Sequence, residues 1–390
     1  MKRSSLLDYG FRPFFLLAGG YAAIVIPGWM ALFSGHAALP GALPAMYWHA
    51  HEMLFGFVAA AIAGFLLTAV PSWTGARGFA GAPLALAVIA WLAGRVAMAS
   101  VASLPFWVVA AAELALLPVL AGLLAPPLLR ARNRNLAMLA VIAVLWLIDS
   151  AFLVGLSRGD TLLMGRALTL AIDVVLVLVA IVGGRIVPAF TANALRRRGE
   201  TVEVRSRPWV EGIAIGATIA NAIADLLSPG ALWIAAIAAI AAAAHAVRLA
   251  GWRSFKARGE SILWVLHLGY AWMPAGLALK AIFLSSHAEW AAKWQHALTV
   301  GVFGTMILAV MTRVALGHTG RPLAVSPVTT AAYLLLTACV VVRVFGGVVL
   351  PDHYLATMFT AAALWSAAFA LFLVVYAPIL ASPRVDGKPG

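Results

Sequence analysis

Residues 48–70 read WHAHEMLFGFVAAAIAGFLLTAV: two imidazoles and a carboxylate, His49, His51 and Glu52, stand at the mouth of an unbroken apolar run. A run of this length without charge spans a bilayer as a helix. Ionisable groups at its end are costly to place there and mark a functional site. The remainder of the 390 residues repeats the apolar pattern: 64% are hydrophobic, 11% are charged, and mean hydropathy is +0.98. Soluble domains carry roughly 25% charge. The chain is therefore read as an all-α integral membrane protein.

Apolar runs of about 20 residues recur near 14–33, 50–71, 83–102, 106–127, 136–156, 162–186, 209–227, 231–249, 261–284, 296–316, 327–346 and 355–377. They predict twelve transmembrane helices in a single membrane domain, 1–390, because the longest connection, 188–208, is too short and too polar to form a soluble domain. The net charge of +13 sits in short connections between apolar runs. That placement marks topology and excludes a nucleic-acid surface. With the N-terminus inside, all but six of the 27 Lys and Arg fall at or beside cytoplasmic ends. Arg158 and Lys293 are external, and Arg95, Arg166, Lys280 and Arg343 fall within spans or near their ends. Both termini are thus expected in the cytoplasm. Met1-Lys-Arg and the following Tyr9-Gly-Phe-Arg-Pro lack the early apolar region of a cleaved signal.

A lone cysteine, Cys339, excludes a disulfide framework, a CxxC redox pair, a thiolate-held cluster and covalent c-type haem. Any haem must be held non-covalently. No phosphate-binding GxxxxGK[ST], strand-linked GxGxxG, GxSxG or HExxH is present, so nucleotide-driven pumping, Rossmann redox chemistry, serine hydrolysis and zincin proteolysis lack support. His-ligated metal chemistry inside a helical bundle remains, and imidazole suits haem iron and copper.

Internal comparison of the spans suggests duplication. Placing His51 over His296 also superposes Gly56 on Gly301 and Thr74-Gly75 on Thr319-Gly320. Placing Leu168 in the same register brings Pro188 onto Pro71, Thr191 onto Thr74 and Thr319, and Arg185 onto Arg313. This register implies three units of four helices.

Two residues apart on a regular helix, His49 and His51 point some 200° apart and serve different neighbours. His49 and Glu52, three apart, share a face, so a metal is expected to take that pair while His51 faces elsewhere. Topology places His49, His51, Glu52 and His296 at outer ends, and His267 and His318 toward inner ends. His36, His287 and His353 read as solvated, and His245 as an interfacial cation. Glu113, Asp149 and Asp173, also within spans, require partners, for which Arg95 and Arg166 are expected.

Trp48-His-Ala-His-Glu-Met-Leu-Phe-Gly-Phe, Val70-Pro-Ser-Trp-Thr-Gly, Gly183-Gly-Arg-Ile-Val-Pro-Ala-Phe-Thr-Ala-Asn, His267-Leu-Gly-Tyr-Ala-Trp-Met-Pro and Leu308-Ala-Val-Met-Thr-Arg-Val-Ala-Leu-Gly-His-Thr-Gly-Arg-Pro resemble the NnrS family, from about Gly10 to Val375. The resemblance implies a bacterial inner-membrane protein holding haem and copper, linked to nitric oxide and nitrosative stress. His49, His51, Glu52, His267, His296 and His318 fall inside the matching stretches as candidate metal ligands. The spans and the 4+4+4 register are also similar to the catalytic subunit of haem–copper oxidases and nitric oxide reductases, although those place metal-binding histidines on spans 6 and 7, which carry none here.

Two expectations of function follow. One is a nitric oxide reductase-like metalloprotein with haem b between His51 and His296, copper or another non-haem metal nearby, an unknown electron donor, and Glu52 carrying protons. His267 and His318 then hold a second metal, or contact haem propionates that Arg313 and Arg321 pair with. The other is a secondary transporter of a metal or metal complex connected with the same stress. Membrane lipid is a partner of either.

Overall fold

The computed structural model describes residues 5–37, 43–205 and 207–387. Among them every regular element is helical. Twelve helices are long and apolar enough to cross a membrane: α1 Phe11–Phe33, α2 Ala45–Thr74, α3 Ala82–Ala99, α4 Phe106–Arg130, α5 Arg134–Arg158, α6 Thr161–Arg197, α7 Pro208–Leu227, α8 Leu232–Gly251, α9 Ser261–Ser286, α10 Glu289–His318, α11 Pro327–Val349 and α12 Pro351–Ala381. Lys2 and Arg3, counted above among the cytoplasmic charges, lie outside the described residues.

Local chemistry explains several boundaries. Proline at the first helical positions opens α3, α7 and α11, where its missing N–H costs nothing. Ser326 caps α11 by accepting the Thr329 N–H at 3.2 Å. Gly75 and Gly159 close α2 and α5 in the left-handed region, with φ of 70° and 66°.

One boundary differs from expectation. Pro188 looks like a stop, yet α6 continues through it to Arg197, so the connection expected over 188–208 shrinks to 198–207. The turn around the proline is held by Thr191, whose hydroxyl donates to the Val187 carbonyl at 2.9 Å. Neighbouring side chains re-satisfy backbone groups in this way in membrane helices.

The chain packs as two compact units. Unit 1 comprises Met1–Ala171, Met311–Leu323 and Phe369–Gly390; unit 2 comprises Ile172–Val310 and Ala324–Ala368. In unit 1, α2 packs against α1 and α4, and α4 against α3 and α5. In unit 2, α8 packs between α7 and α9, and α9 continues onto α10.

Two helices leave the α-helical ladder. α2 is π-helical over Glu52–Val58 and α10 over Ala297–Gly304, and the two stretches begin at the sequence offset that carries His51 onto His296. Each contains a glycine against an aromatic ring. A Cβ on Gly56 would lie 2.5 Å from Tyr21 Cε1, and one on Gly301 would lie 2.6 Å from Trp272 Cγ. The same offset relates Thr74, donating to Val70, to Thr319, donating to Ala315. It also relates the left-handed Gly75 to Gly320. α4 breaks differently, by a turn at Leu114–Ala115 directly after Glu113.

Candidate functional site

The irregular backbone of unit 1 surrounds a buried polar cluster. Glu52 starts the π-helical stretch of α2, and Glu113 ends the first half of α4. Tryptophans satisfy backbone carbonyls at both breaks: Trp91 Nε1–H donates to Gly56 O at 3.0 Å, and Trp146 Nε1–H donates to Leu114 O at 3.2 Å.

His51 lies at the centre, with 0% of its surface exposed. Its Nδ1 meets Glu52 Oε1 at 3.0 Å, and its Nε2 meets Asp149 Oδ1 at 3.0 Å and Glu113 Oε1 at 3.7 Å. The ring stacks on Phe152, centroid to centroid at 4.5 Å, with Phe55 on another side at 5.0 Å. Arg95 binds Glu52 Oε1 through Nη1 at 2.6 Å and Glu113 through Nη2, while the Tyr21 hydroxyl donates to Glu52 Oε2. Glu113 Oε2 has no hydrogen-bond partner among the described residues.

His49 and His51 serve different neighbours, as their spacing implies, but Glu52 goes with His51 rather than with His49. His51 and Glu52, although adjacent, converge on one site. His49 stacks instead on Trp29 at 4.2 Å, so His49 and Glu52 do not form the expected pair. Arg95 does take Glu113, but Arg166 forms no ion pair among the described residues, and Asp149 is engaged by His51.

The other predicted histidines have separate surroundings. In unit 2, His267 Nε2 meets Thr191 Oγ1 at 2.8 Å and its Nδ1 meets Ser254 Oγ at 3.0 Å. His296 Nε2 accepts from Arg343 Nη2 at 2.9 Å. In unit 1, His318 lies beside the rings of Tyr9 and Phe11, and its carbonyl accepts from Arg384 at 2.9 Å. Arg313 is buried and Arg321 half-buried on that same segment.

His245, read above as an interfacial cation, is instead fully buried in unit 2. Arg248 donates to the Tyr270 hydroxyl, Tyr270 to His245 Nδ1, His245 Nε2–H to Thr218, and Thr218 to the Ala214 carbonyl, each at 2.7–2.8 Å. The basic residues after it in sequence suggested an interface. No spacing rule links it to Thr218 or Tyr270 on other helices.

The donor set decides what unit 1 can hold. One atom each from His51, Glu113 and Asp149 lie within 4.8 Å of one another. The Nδ1 contact with Glu52 fixes the imidazole so that Nε2 faces the two carboxylates, the carboxylate–histidine arrangement that orients metal ligands. A small cation fits. A porphyrin does not, because the imidazole is stacked on Phe152 and the adjoining cavity beside Phe55, Trp91 and Glu113 measures about 10 Å³, room for about one water.

A sequence model of the NnrS protein family matches residues 5–384, nearly the full length. The chain belongs to the NnrS family. Family membership makes this NnrS protein a nitric-oxide-related, multi-pass membrane protein. No curated protein matches it at significant similarity.

Proposed function

We propose that this NnrS protein is an inner-membrane metalloprotein that binds or reduces nitric oxide at a divalent metal held by His51, Glu113 and Asp149, and so protects against nitrosative stress. The charge count supports this reading most directly. Glu52 and Glu113 share the single guanidinium of Arg95, and Asp149 meets His51 Nε2. With His51 neutral, as an imidazole that ligates a metal must be, the buried cluster carries two negative charges beyond the one that Arg95 balances, a heavy cost inside a membrane unless a cation is bound. One divalent cation balances them.

One imidazole and two carboxylates suit iron, manganese, zinc or copper(II). When bound, such an ion supplies a Lewis-acid centre and, for iron or copper, a one-electron centre for nitric oxide. The protein's own groups perform the remaining tasks. Glu52 accepts the Nδ1–H of His51, Arg95 restrains Glu52 and Glu113, and Phe55 and Phe152 exclude water from the imidazole. The Tyr21 hydroxyl donates to Glu52 Oε2, beside chemistry that consumes protons when nitric oxide is reduced. The bias of Lys and Arg toward one set of connections supports both termini in the cytoplasm.

Elemental analysis of purified protein, paired with anaerobic nitric oxide consumption from an artificial electron donor, tests the proposal. His51→Ala and Asp149→Asn should each lower bound divalent metal and consumption tenfold or more. Unchanged metal in both overturns it. The π-helical interruption of α2 beside the cluster also suits a transporter, whose sites use broken helices. Transport predicts metal uptake into sealed vesicles without nitric oxide consumption.

A further inference from the structure

Unit 2 contains a second buried charged cluster with no part in the candidate metal centre. Asp173 on α6 is 2% exposed, and Asp225 on α7 and Lys280 on α9 are likewise buried. Lys280 Nζ pairs with Asp225 Oδ2 and donates to Asn221 Oδ1 at 2.9 Å. Asn221 Nδ2 donates to Asp173 Oδ1 at 3.0 Å and to Asp225 Oδ2 at 3.3 Å. The indole of Trp294 on α10 covers the ammonium, 4.9 Å from Nζ to the ring centroid.

The donors and charges in this cluster do not balance. Lys280 neutralises one carboxylate, the Asn221 amide bridges both without adding charge, and Asp173 Oδ2 has no hydrogen-bond partner among the described residues. No other charged side chain among the described residues forms an ion pair with these three. Two carboxylates and one ammonium therefore leave one negative charge enclosed by membrane helices. Burying an uncompensated charge among membrane helices is strongly unfavourable. A metal ion competes poorly for this space, because the ammonium already occupies the position between Asn221 Oδ1 and Asp225. A proton requires no added volume, and Asp173 Oδ2 is the oxygen left to carry it.

We propose that Asp173, Asp225, Asn221 and Lys280 form a proton-binding centre that holds one exchangeable proton within unit 2. The inference is independent of the metal proposal, since it uses none of the residues His51, Glu113 and Asp149. It gives the protein a second activity: a store that takes up or releases a proton without changing the charge on Lys280.

Infrared difference spectroscopy of the purified full-length protein at neutral pH, in water and in deuterium oxide, reads the proton as a carboxylic C=O stretch that shifts on deuteration. Charge counting fixes the expected pattern. Asp173→Asn removes the band, and Asp225→Asn also removes it, because Lys280 then balances the surviving carboxylate. Lys280→Met should roughly double it. Asparagine preserves the shape of either aspartate, and the two variants make the same prediction independently if one fails to fold. A band retained in both asparagine variants, or a wild-type spectrum without any band that either variant removes, overturns the proposal.

Discussion

A missing side chain at Gly56 leaves room for two others, since a Cβ there would lie 2.5 Å from Tyr21 Cε1 and 3.2 Å from Arg95 Nη1. Both groups bind Glu52, so an added methyl group presses on the residues that orient His51. Gly56→Ala gains up to about 1 kcal/mol of helix propensity but incurs about 1–3 kcal/mol of overpacking. We expect a net loss of stability together with about tenfold weaker metal binding, measured by thermal unfolding in detergent and by metal titration. Gly20→Ala is the matched control, because nothing lies within 4 Å of a Cβ there; it should retain metal and be no less stable. Metal affinity unchanged in Gly56→Ala would separate Tyr21 and Arg95 from the support of His51. At this scale the sequence exposes His51, Glu52 and the Arg95–Glu113 pair, because charged residues stand out within apolar runs. It conceals Tyr21, Asp149 as the partner of His51, and the whole His245 network, since these are contacts between helices that no spacing along one helix records.

The same site depends on an element whose composition looks ordinary. Residues 53–58 are as apolar as an α-helix, but π-helical bonding over Glu52–Val58 places one more residue in the turn and so sets how the His51–Glu52 end of α2 is rotated against the rest of the helix. Each residue of regular helix adds a rotation of about 100°, so the inserted residue changes which neighbours that end faces. Such stretches are rare and cluster at functional sites. Deleting Met53 should restore α-helical register and turn His51 away from Asp149 and Glu113 by about 100°. The expected result is bound metal reduced at least tenfold in a protein that still inserts, because enough apolar residues remain to span. Deleting Val300 from the equivalent stretch of α10 should leave unit 1 metal unaffected. Metal retained after the Met53 deletion would show that the π-helical turn is dispensable. Apolar runs make all twelve helices legible, whereas bonding type within a run is not. The two π-helical stretches share the sequence offset that carries His51 onto His296, yet nothing in their composition announces the bonding.

At the scale of the whole molecule, orientation follows from charge rather than packing. The clusters Arg130/Arg132/Arg134 and Arg196-Arg197-Arg198 lie at helix ends and connections assigned to one side, and Arg158 and Lys293 at helix ends assigned to the other. Retention of Lys and Arg on the cytoplasmic side is the basis of that assignment. The chain supplies its own background for a test, since Cys339 is buried at 2% exposure and its Sγ donates to the Ala361 carbonyl at 3.2 Å. Wild-type protein should therefore resist a membrane-impermeant maleimide even after the membrane is opened. New cysteines at exposed positions then report one side each. Ser157→Cys and His353→Cys should label in intact spheroplasts, whereas Thr201→Cys should label only after permeabilisation. All three replace exposed residues away from both charged clusters, so about 0.5 kcal/mol or less of stability should be lost. The reverse labelling pattern would invert the topology and place the Arg196–Arg198 cluster outside, against the charge rule that assigned both termini to the cytoplasm.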